Sequence, residues 1–370
     1  MASTIQVVDL FCGAGGFSTG VHMSNTHKVT LAVDADAHML SLHHHNFPSC
    51  KHVLAKLGVS PFAEFGKTLL TFMDGKPWHL HGSPPCQSFS IAHRRGGHQT
   101  GGDERTNLTF WFLDLVDWLR SEENAPISWS MEQVPTALKL IREQKPWIDT
   151  VTCVTAFGWQ FGAPTLRKRL FLGEGWELNP VFRNAKKRNV DGVPTSLPPP
   201  TPSHPELGIP HVLTTFRLPA THVAVRGTRN YDYTGYNHSF IGPLNKNKQR
   251  NHRVDSAKGE GLRDFTKPCY AMVASQGLAI WTHDGPEVDG EIEWRKRRML
   301  THDEAKTIQG FPWWYEIQHV VRTELVAYES VFGAALPVVA RPISNTHKIR
   351  AIGNSVCPRI SGAMFGCLAN

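Results

Sequence analysis

Apolar runs of strand length alternate with helix-compatible segments along the first half of the chain. Buried strands of a parallel sheet appear as continuous apolar or β-branched runs, and each is followed by a helix that returns the chain. This alternation predicts an α/β fold with a doubly wound, mostly parallel sheet. The predicted strands are Ile5–Leu10, Val29–Val33, Trp78–Leu80, Ile127–Met131 and Thr150–Phe157, and the clearest helical pattern covers Leu108–Leu119.

The pattern changes in the second half of the chain. Val193–Pro210 is rich in proline, and the residues after it lack clear periodicity, which indicates a second, smaller and loop-rich domain. A capping box at Thr301–Glu304 predicts a helix that ends near Gly310. Ile349–Val356 leads into a predicted amphipathic helix that reaches Leu368.

Composition narrows the class of protein. The 370 residues are 41% hydrophobic and 19% charged, as in a globular protein. No apolar run approaches the ~18 residues of a membrane span, and Met1–Asp9 lacks the pattern of a signal peptide. We therefore expect a soluble intracellular protein, with cytoplasm and nucleus not distinguished.

The cysteine and histidine spacings do not match a common metal site. The seven cysteines include no C-x-x-C pair, which indicates reduced thiols. The tract His43–His45 could bind a metal, but no second ligand cluster has matching spacing, so a solvated helix face is the preferred interpretation. The prediction is that no metal is bound.

Positive charge is concentrated in one segment. Between Val181 and Arg263 there are 13 Lys or Arg residues and 5 Asp or Glu residues, interleaved with tyrosine and phenylalanine. Such a segment suits a polyanion, although an ordinary solvated loop explains the charge alone equally well.

The first strand leads directly into the glycine-rich turn Phe11–Phe17. A strand, a glycine turn and a helix in this order are typical of a nucleotide-binding start, but Ser18 stands where a dinucleotide pattern has its third glycine. Asp34 ends the second strand, where a ribose diol is usually bound, and Asp36 is an alternative. The pattern favours a nucleoside compound without a pyrophosphate.

Cys86 is the candidate nucleophile. It lies on a loop after the Trp78–Leu80 strand, and Pro84 and Pro85 restrict the backbone just before it. A thiol needs a nearby positive charge or a helix start to become a good nucleophile, and the residues around Cys86 show neither. Taken alone, a buried structural cysteine is the more common explanation.

A carboxyl and two guanidinium groups are placed to reach the same crevice. Glu132 lies at the end of a predicted strand, and strand ends of an open parallel sheet converge at one edge. Glu132 could be an acid-base group, or it could stabilise the start of the helix after Pro135. Arg167 and Arg169 alternate along a strand, and two guanidiniums on one face favour an anionic or polar ligand.

Six sequence blocks, in order, resemble those of the DNA (cytosine-5) methyltransferase family. The resemblance extends over the whole chain. The blocks are Asp9–Phe17, Gly82–Ser90, Glu132–Val134, Arg167–Arg169, Arg298–Pro312 and Gly353–Val356.

The resemblance implies a large domain of residues 1–174 and 345–370 that binds S-adenosylmethionine, and a target-recognition domain of residues 175–344. It implies that Cys86 adds to carbon 6 of a flipped-out cytosine, that Glu132 protonates the ring, and that Arg169 and Arg167 frame the pocket. The residues implied to bind the cofactor are Phe11, Gly13, Ala14, Gly15, Gly16, Asp34, Pro85 and Asn354, and those implied to bind the substrate are Ser83, Gln87, Ser90 and Gln133.

Several positions depart from the family pattern. Gln133 replaces a usual asparagine, Thr165 replaces a usual glutamine, and a cofactor-binding aspartate expected between residues 50 and 60 is not evident. Val321–Pro342 is a candidate insertion.

The leading hypothesis is a monomeric methyltransferase that acts on duplex DNA. An RNA cytosine-5 methyltransferase of the same fold and a catalytically silent nucleic-acid-binding regulator are the alternatives. Intact Cys86, Glu132 and Arg169 argue against the regulator.

Overall fold

A computed structural model describes residues 4–24, 26–86, 104–163, 165–180, 239–243, 263–264, 269, 271–272, 278–283, 294–299, 302–317 and 344–366. Much of the basic segment and all of Val321–Pro342 lie outside these ranges. Among the described helices, none combines the length and the apolar character needed to cross a membrane.

Seven strands form one sheet in the order β3-β2-β1-β4-β5-β7-β6. The first five of these pair in parallel, whereas β7 is antiparallel to both β5 and β6. The predicted doubly wound, mostly parallel sheet is confirmed. The strands are β1 (Ile5–Leu10), β2 (His27–Asp34), β3 (Lys51–Leu54), β4 (Trp78–Gly82), β5 (Ser128–Gln133), β6 (Thr152–Phe157) and β7 (Lys168–Glu174).

Helices cover both faces of this sheet because successive strand residues point to opposite sides. Val7 belongs to one buried cluster and its neighbour Val8 to the other. The helices are α1 (Gly16–Met23), α2 (Ala37–Asn46), α3 (Phe62–Met73), α4 (Glu104–Leu119), α5 (Leu138–Gln144), α6 (His302–Ile308), α7 (Asn345–Asn354) and α8 (Pro358–Met364).

A second, antiparallel sheet has the order β11-β10-β8-β9. Its strands are β8 (Ser239–Pro243), β9 (Arg263–Asp264), β10 (Leu278–His283) and β11 (Trp294–Met299), all within the segment predicted as the smaller domain.

Residues 302–317 lie within the smaller domain that the family resemblance implies, and they pack into the core of the larger sheet. Ala305, Ile308 and Phe311 are buried in the same cluster as Val7. The Tyr315 hydroxyl donates a hydrogen bond to the Ala14 carbonyl. This packing favours a large domain that also includes residues 302–317.

The carboxyl-terminal segment returns to the beginning of the chain. A Cβ on Gly16 would lie 2.3 Å from the Val356 carbonyl oxygen, and one on Gly20 would lie 2.1 Å from Ser361 Oγ. Glycine at these positions therefore allows α1 to approach α8 and the residues before it. The predicted single terminal helix is wrong in one respect, because Ile349–Asn354 is itself helical and α8 is separate.

Candidate active site

A cavity of about 340 Å³ opens at the edge where β1, β2, β4 and β5 end. Because β7 runs antiparallel to β5, its first residues lie at this same edge. The walls therefore combine the glycine turn, the Cys86 loop, the end of β5 and the start of β7 with residues from α7 and its C-terminal end.

The backbone of the glycine turn adopts conformations that favour glycine. Phe11, Gly13 and Gly15 have φ angles of 57°, 53° and 90°, in the left-handed region that favours glycine. A Cβ on Gly15 would lie 2.9 Å from ring atoms of both His43 and Phe47, so no larger residue fits there.

Asp34 holds the glycine turn in place from the end of β2. Its Oδ2 accepts a hydrogen bond of 2.8 Å from the Gly13 amide, and its Oδ1 accepts one of 2.8 Å from the Asp36 amide. Burial raises the pKa of Asp34 to about 6. The carboxyl lines the cavity, where a carboxylate can accept hydrogen bonds from a diol.

The loop Ser83–Cys86 leaves the end of β4 and is held by β5. Gln133 Nε2 donates to the Pro84 carbonyl at 3.2 Å and to Thr109 Oγ1 at 3.2 Å, while Gln133 Oε1 accepts from the Val134 amide at 2.8 Å. Cys86 is half-buried and lines the cavity. Gln133 thus connects the thiol-bearing loop to β5 and α4.

The buried Glu132 and the partly buried Arg169 form an ion pair. Arg169 Nε lies 2.8 Å from Glu132 Oε1, and both atoms lack a hydrogen bond of good angle. Arg169 Nη1 also donates to the Lys168 carbonyl at 2.8 Å. The pair brings opposite charges to the wall that carries Cys86.

Arg167 is buried and is tied to the end of α7. Its Nη1 donates to the Gly353 carbonyl at 2.8 Å, and its Nη2 lies 3.5 Å from the Asn354 carbonyl. Burial, followed by the nearby Arg169, lowers the pKa of Arg167 to about 10, so the group stays charged at neutral pH. Its Nε is buried without a hydrogen bond among the described residues.

The Cys86 thiol lies in a balanced electrostatic environment. Burial raises its pKa most, the Arg169 charge lowers it, the Glu132 charge raises it, and Arg167 lowers it. The positive charge that a nucleophilic thiol requires is therefore present, although Glu132 and burial oppose it.

Most of the predicted site residues line this one cavity. They are Phe11, Gly13, Ala14, Asp34, Ser83, Pro85, Cys86, Glu132, Arg167, Arg169 and Asn354. Gly15 and Gly16 lie behind the wall, packed against α2 and the segment before α8. Gln133 is fully buried beneath the Cys86 loop, so the structure does not bring it to the cavity as a substrate contact. Gln87 and Ser90 lie outside the described residues.

Sequence reasoning missed part of the wall. Lys56 and Leu57 line the cavity in the stretch where a cofactor-binding aspartate was expected. Arg350 and Val356 come from α7 and its end, and their contribution becomes visible only when the chain returns to α1. Asp36, the alternative to Asp34, lines the cavity and also caps α2.

A hydrogen-bonded row of buried side chains crosses β4 and β5 and ends at Ser83. Ser128, His79, Ser130, His81 and Ser83 are joined by contacts of 2.7, 2.8, 2.8 and 2.7 Å. Burial lowers the pKa of His79 to about 3 and that of His81 well below its usual value, so both imidazoles are neutral at pH 7. In the sequence, the only sign of this row is that His79 and His81 are two positions apart on a predicted strand and therefore point to the same face.

Comparisons with known proteins agree with this geometry. The model of the family described as C-5 cytosine-specific DNA methylase matches residues 5–348. The chain is 27% identical to the type II methyltransferase M1.HphI of Haemophilus parahaemolyticus, over 46% of this chain and 46% of that protein. It is 31% identical to M.HgiGI of Herpetosiphon aurantiacus, over 30% of this chain and 80% of that protein. The chain thus spans less than half the length of the first of these curated relatives.

Solved structures share the fold. Entamoeba histolytica methyltransferase EhMeth has a TM-score of 0.56 at 15% identity, covering 99% of this chain and 98% of that one. Dnmt2 methyltransferase of S. pombe has a TM-score of 0.55 at 13% identity, with the same coverage.

Proposed function

The chain belongs to the C-5 cytosine-specific DNA methylase family, and we propose that it transfers a methyl group to carbon 5 of cytosine in duplex DNA. One observation carries the proposal. Cys86, Glu132, Arg167 and Arg169 line the same cavity as the glycine turn and Asp34, so a thiol, an acid and two cations adjoin a nucleoside pocket.

The cavity fits S-adenosylmethionine as the cofactor. Its volume of about 340 Å³ lies in the range of small-molecule pockets. Asp34 suits a ribose diol, and Phe11, Met39, Leu57 and Val356 provide apolar wall. When bound, S-adenosylmethionine supplies an electrophilic methyl group to carbon 5.

Cys86 activates the base by nucleophilic addition. Carbon 5 of cytosine is a poor nucleophile, and addition of the thiolate to carbon 6 converts the ring to an enamine with a nucleophilic carbon 5. The loop position of Cys86, aimed by Pro84 and Pro85 and held by Gln133, suits attack on a base that has left the DNA stack.

Glu132, Arg169 and Arg167 stabilise the adduct. Glu132, ion-paired with Arg169 in the free protein, would take up a proton when the base binds and donate it to ring nitrogen 3 as the thiolate adds, while Arg169 binds the ring oxygen. The buried Arg167 frames the pocket and connects it to the end of α7. A base then removes the carbon 5 proton and the nitrogen 3 proton returns to Glu132, so that Cys86 leaves as a thiolate and the aromatic ring is restored.

The basic segment favours duplex DNA as the substrate, because positions 181 to 263 contain 13 Lys or Arg residues and only 5 Asp or Glu residues. We assign target recognition to the segment that contains the second sheet, within the predicted 175–344 domain.

Tritium transfer from labelled S-adenosylmethionine to duplex DNA, transfer RNA and a blank tests the proposal. We expect label on DNA only, and none with Cys86→Ala, which should still bind the cofactor in calorimetry. Label on RNA alone would replace the substrate assignment, and turnover by Cys86→Ala would refute the nucleophile. Label on neither DNA nor RNA would favour a nucleic-acid-binding protein without catalytic activity.

A further inference from the structure

Three potential metal ligands meet behind the glycine turn, away from the cavity. The ligand atoms of His43, Cys50 and His52 all lie within 4.8 Å of one another, and all three residues are buried. His43 comes from α2, whereas Cys50 and His52 lie on either side of Lys51 at the start of β3. None of the three lines the active-site cavity.

The arrangement corrects one sequence expectation. His45 is exposed and contacts Glu316 at 2.8 Å, as a solvated helix face requires. His43 is fully buried, so the prediction of a solvated face is wrong for this residue. The sequence spacing of His43, Cys50 and His52 matches no common metal motif. The turn between α2 and β3 brings the three side chains together.

Hydrogen bonding determines the tautomer of His43. Ser18 Oγ donates its one hydrogen to Asp9 Oδ2 at 2.6 Å. When Asp9 is ionised and accepts the Ser18 hydrogen, the contact of 2.8 Å between Ser18 Oγ and His43 Nε2 requires that Nε2 carry the proton and donate it. The lone pair of His43 is left on Nδ1, directed at His52 Nε2 at 2.8 Å.

The carboxylate, hydroxyl and imidazole of Asp9, Ser18 and His43 form the kind of outer support that orients metal-binding histidines. Asp9 Oδ1 is buried with no hydrogen-bond partner among the described residues, and Asp9 is linked to the site through Ser18 and His43. Burial raises the pKa of Asp9 to about 7, and a cation bound nearby would favour its ionised form.

We propose that His43 Nδ1, Cys50 Sγ and His52 Nε2 bind a divalent transition metal, with Zn²⁺ the best match to two imidazoles and a thiolate. Binding replaces the thiol proton of Cys50, so one proton is released to solvent. The proton on His52 Nε2 moves to Nδ1, which lies 3.2 Å from His44 Nδ1 and donates to it.

The metal would join α2 to β3 directly behind the glycine turn. His43 packs against Gly15, since a Cβ there would lie 2.9 Å from its ring. The expected role is to hold the back of the cofactor pocket, so metal loading should raise thermal stability whether or not methyl transfer occurs.

Cobalt titration of the full chain, stripped with a chelator and kept reduced, tests the site. One equivalent of Co²⁺ should produce a thiolate charge-transfer band in the near ultraviolet and intense tetrahedral bands in the visible, both removed by Zn²⁺. Cys50→Ser should abolish the charge-transfer band, whereas the matched control Cys153→Ser, at the half-buried thiol of β6, should retain it.

A second variant covers the case in which Cys50→Ser does not fold. Ser18→Ala leaves all three ligands in place but removes the support of His43, and should weaken metal affinity by about 10- to 100-fold with the band retained. Absence of stoichiometric binding by the folded wild-type chain, or an unchanged band in folded Cys50→Ser, would overturn the proposal.

Discussion

At the scale of single residues, the reactivity of Cys86 depends on two neighbours of opposite sign. Burial keeps the pKa of the thiol high, the Arg169 charge lowers it, and the Glu132 charge raises it. Arg169 and Glu132 are themselves paired at 2.8 Å, so each moderates the influence of the other on the thiol. Burial and the Glu132 charge thus favour the protonated thiol in the free protein. If Glu132 takes up a proton when a substrate binds, its charge no longer raises the pKa of Cys86.

This balance predicts opposite shifts in two variants. Glu132→Gln removes the anion that raises the pKa of Cys86, so its alkylation profile should move to lower pH. Arg169→Gln removes the cation that lowers this pKa, so the profile should move to higher pH. Iodoacetamide labelling across pH, with the Cys86 peptide followed by mass spectrometry, measures both, and shifts of the same sign would contradict the argument.

Sequence predicted the identity of these residues better than their connections. The family blocks identified Cys86, Glu132, Arg167 and Arg169, and all four line one cavity. The partner of Arg167 could not be predicted, because Gly353 lies 186 positions away and contributes a backbone carbonyl. Backbone carbonyls carry no residue-type signal, so only the folded chain shows this contact.

At the scale of elements, the junction of β4, β5 and α4 positions Cys86, the proposed nucleophile. Gln133 connects all three through Pro84 and Thr109. The departure from the family's usual asparagine therefore places a longer amide in the core, with bonds that hold the Cys86 loop. The sequence shows the substitution but not its effect, whereas the structure shows that Gln133 holds the Cys86 loop in position.

Gln133→Leu should lower both stability and turnover. It leaves the buried Pro84 carbonyl without its donor, which costs about 1–3 kcal/mol, and it frees the loop that carries Cys86. Thr109→Val is the matched control, because it keeps the bond to Pro84 and should retain most turnover. Urea denaturation and single-turnover methyl transfer measure the two effects; full turnover by Gln133→Leu would argue against a positioning role.

The direction of β7 was not predictable from the residue pattern. Apolar alternation marks a strand but does not distinguish parallel from antiparallel pairing, which depends on the connection that precedes it. The short connection between β6 and β7 forces the antiparallel pairing, with Gly162 at a φ of 84°. This reversal brings Arg169 to the edge where β5 ends.

At the scale of the whole molecule, the two ends of the described chain pack together. The order of elements and the mostly parallel sheet were predictable, since buried runs and helices alternate. The boundary of the smaller domain at residue 344 stays a prediction, and the packing of residues 302–317 on the larger sheet was not visible in the sequence, because a capped helix shows where it starts and not which core it joins. The hydrogen bond from the Tyr315 hydroxyl to the Ala14 carbonyl shows that this segment joins the core of the larger sheet.

Close packing of α1 on α8 predicts an unusual effect of alanine. Gly→Ala inside a helix ordinarily stabilises by about 1 kcal/mol. At Gly20 the new Cβ would lie 2.1 Å from Ser361 Oγ and 2.4 Å from the Gly362 nitrogen. Gly20→Ala should therefore destabilise by about 1–3 kcal/mol and weaken cofactor binding. Thermal unfolding and calorimetry measure these effects, and an ordinary gain in stability would show that the helices are not in close contact.

The return of α7 to the cavity also has a consequence for biosynthesis. Arg350, Asn354 and Val356 form part of the wall that faces Phe11 and Asp34, residues translated more than 300 positions earlier. A nascent chain on the ribosome has its glycine turn and its thiol long before this wall exists. The proposed methylating activity would thus begin only after residues 344–366 have left the exit tunnel, so translation itself delays modification of DNA.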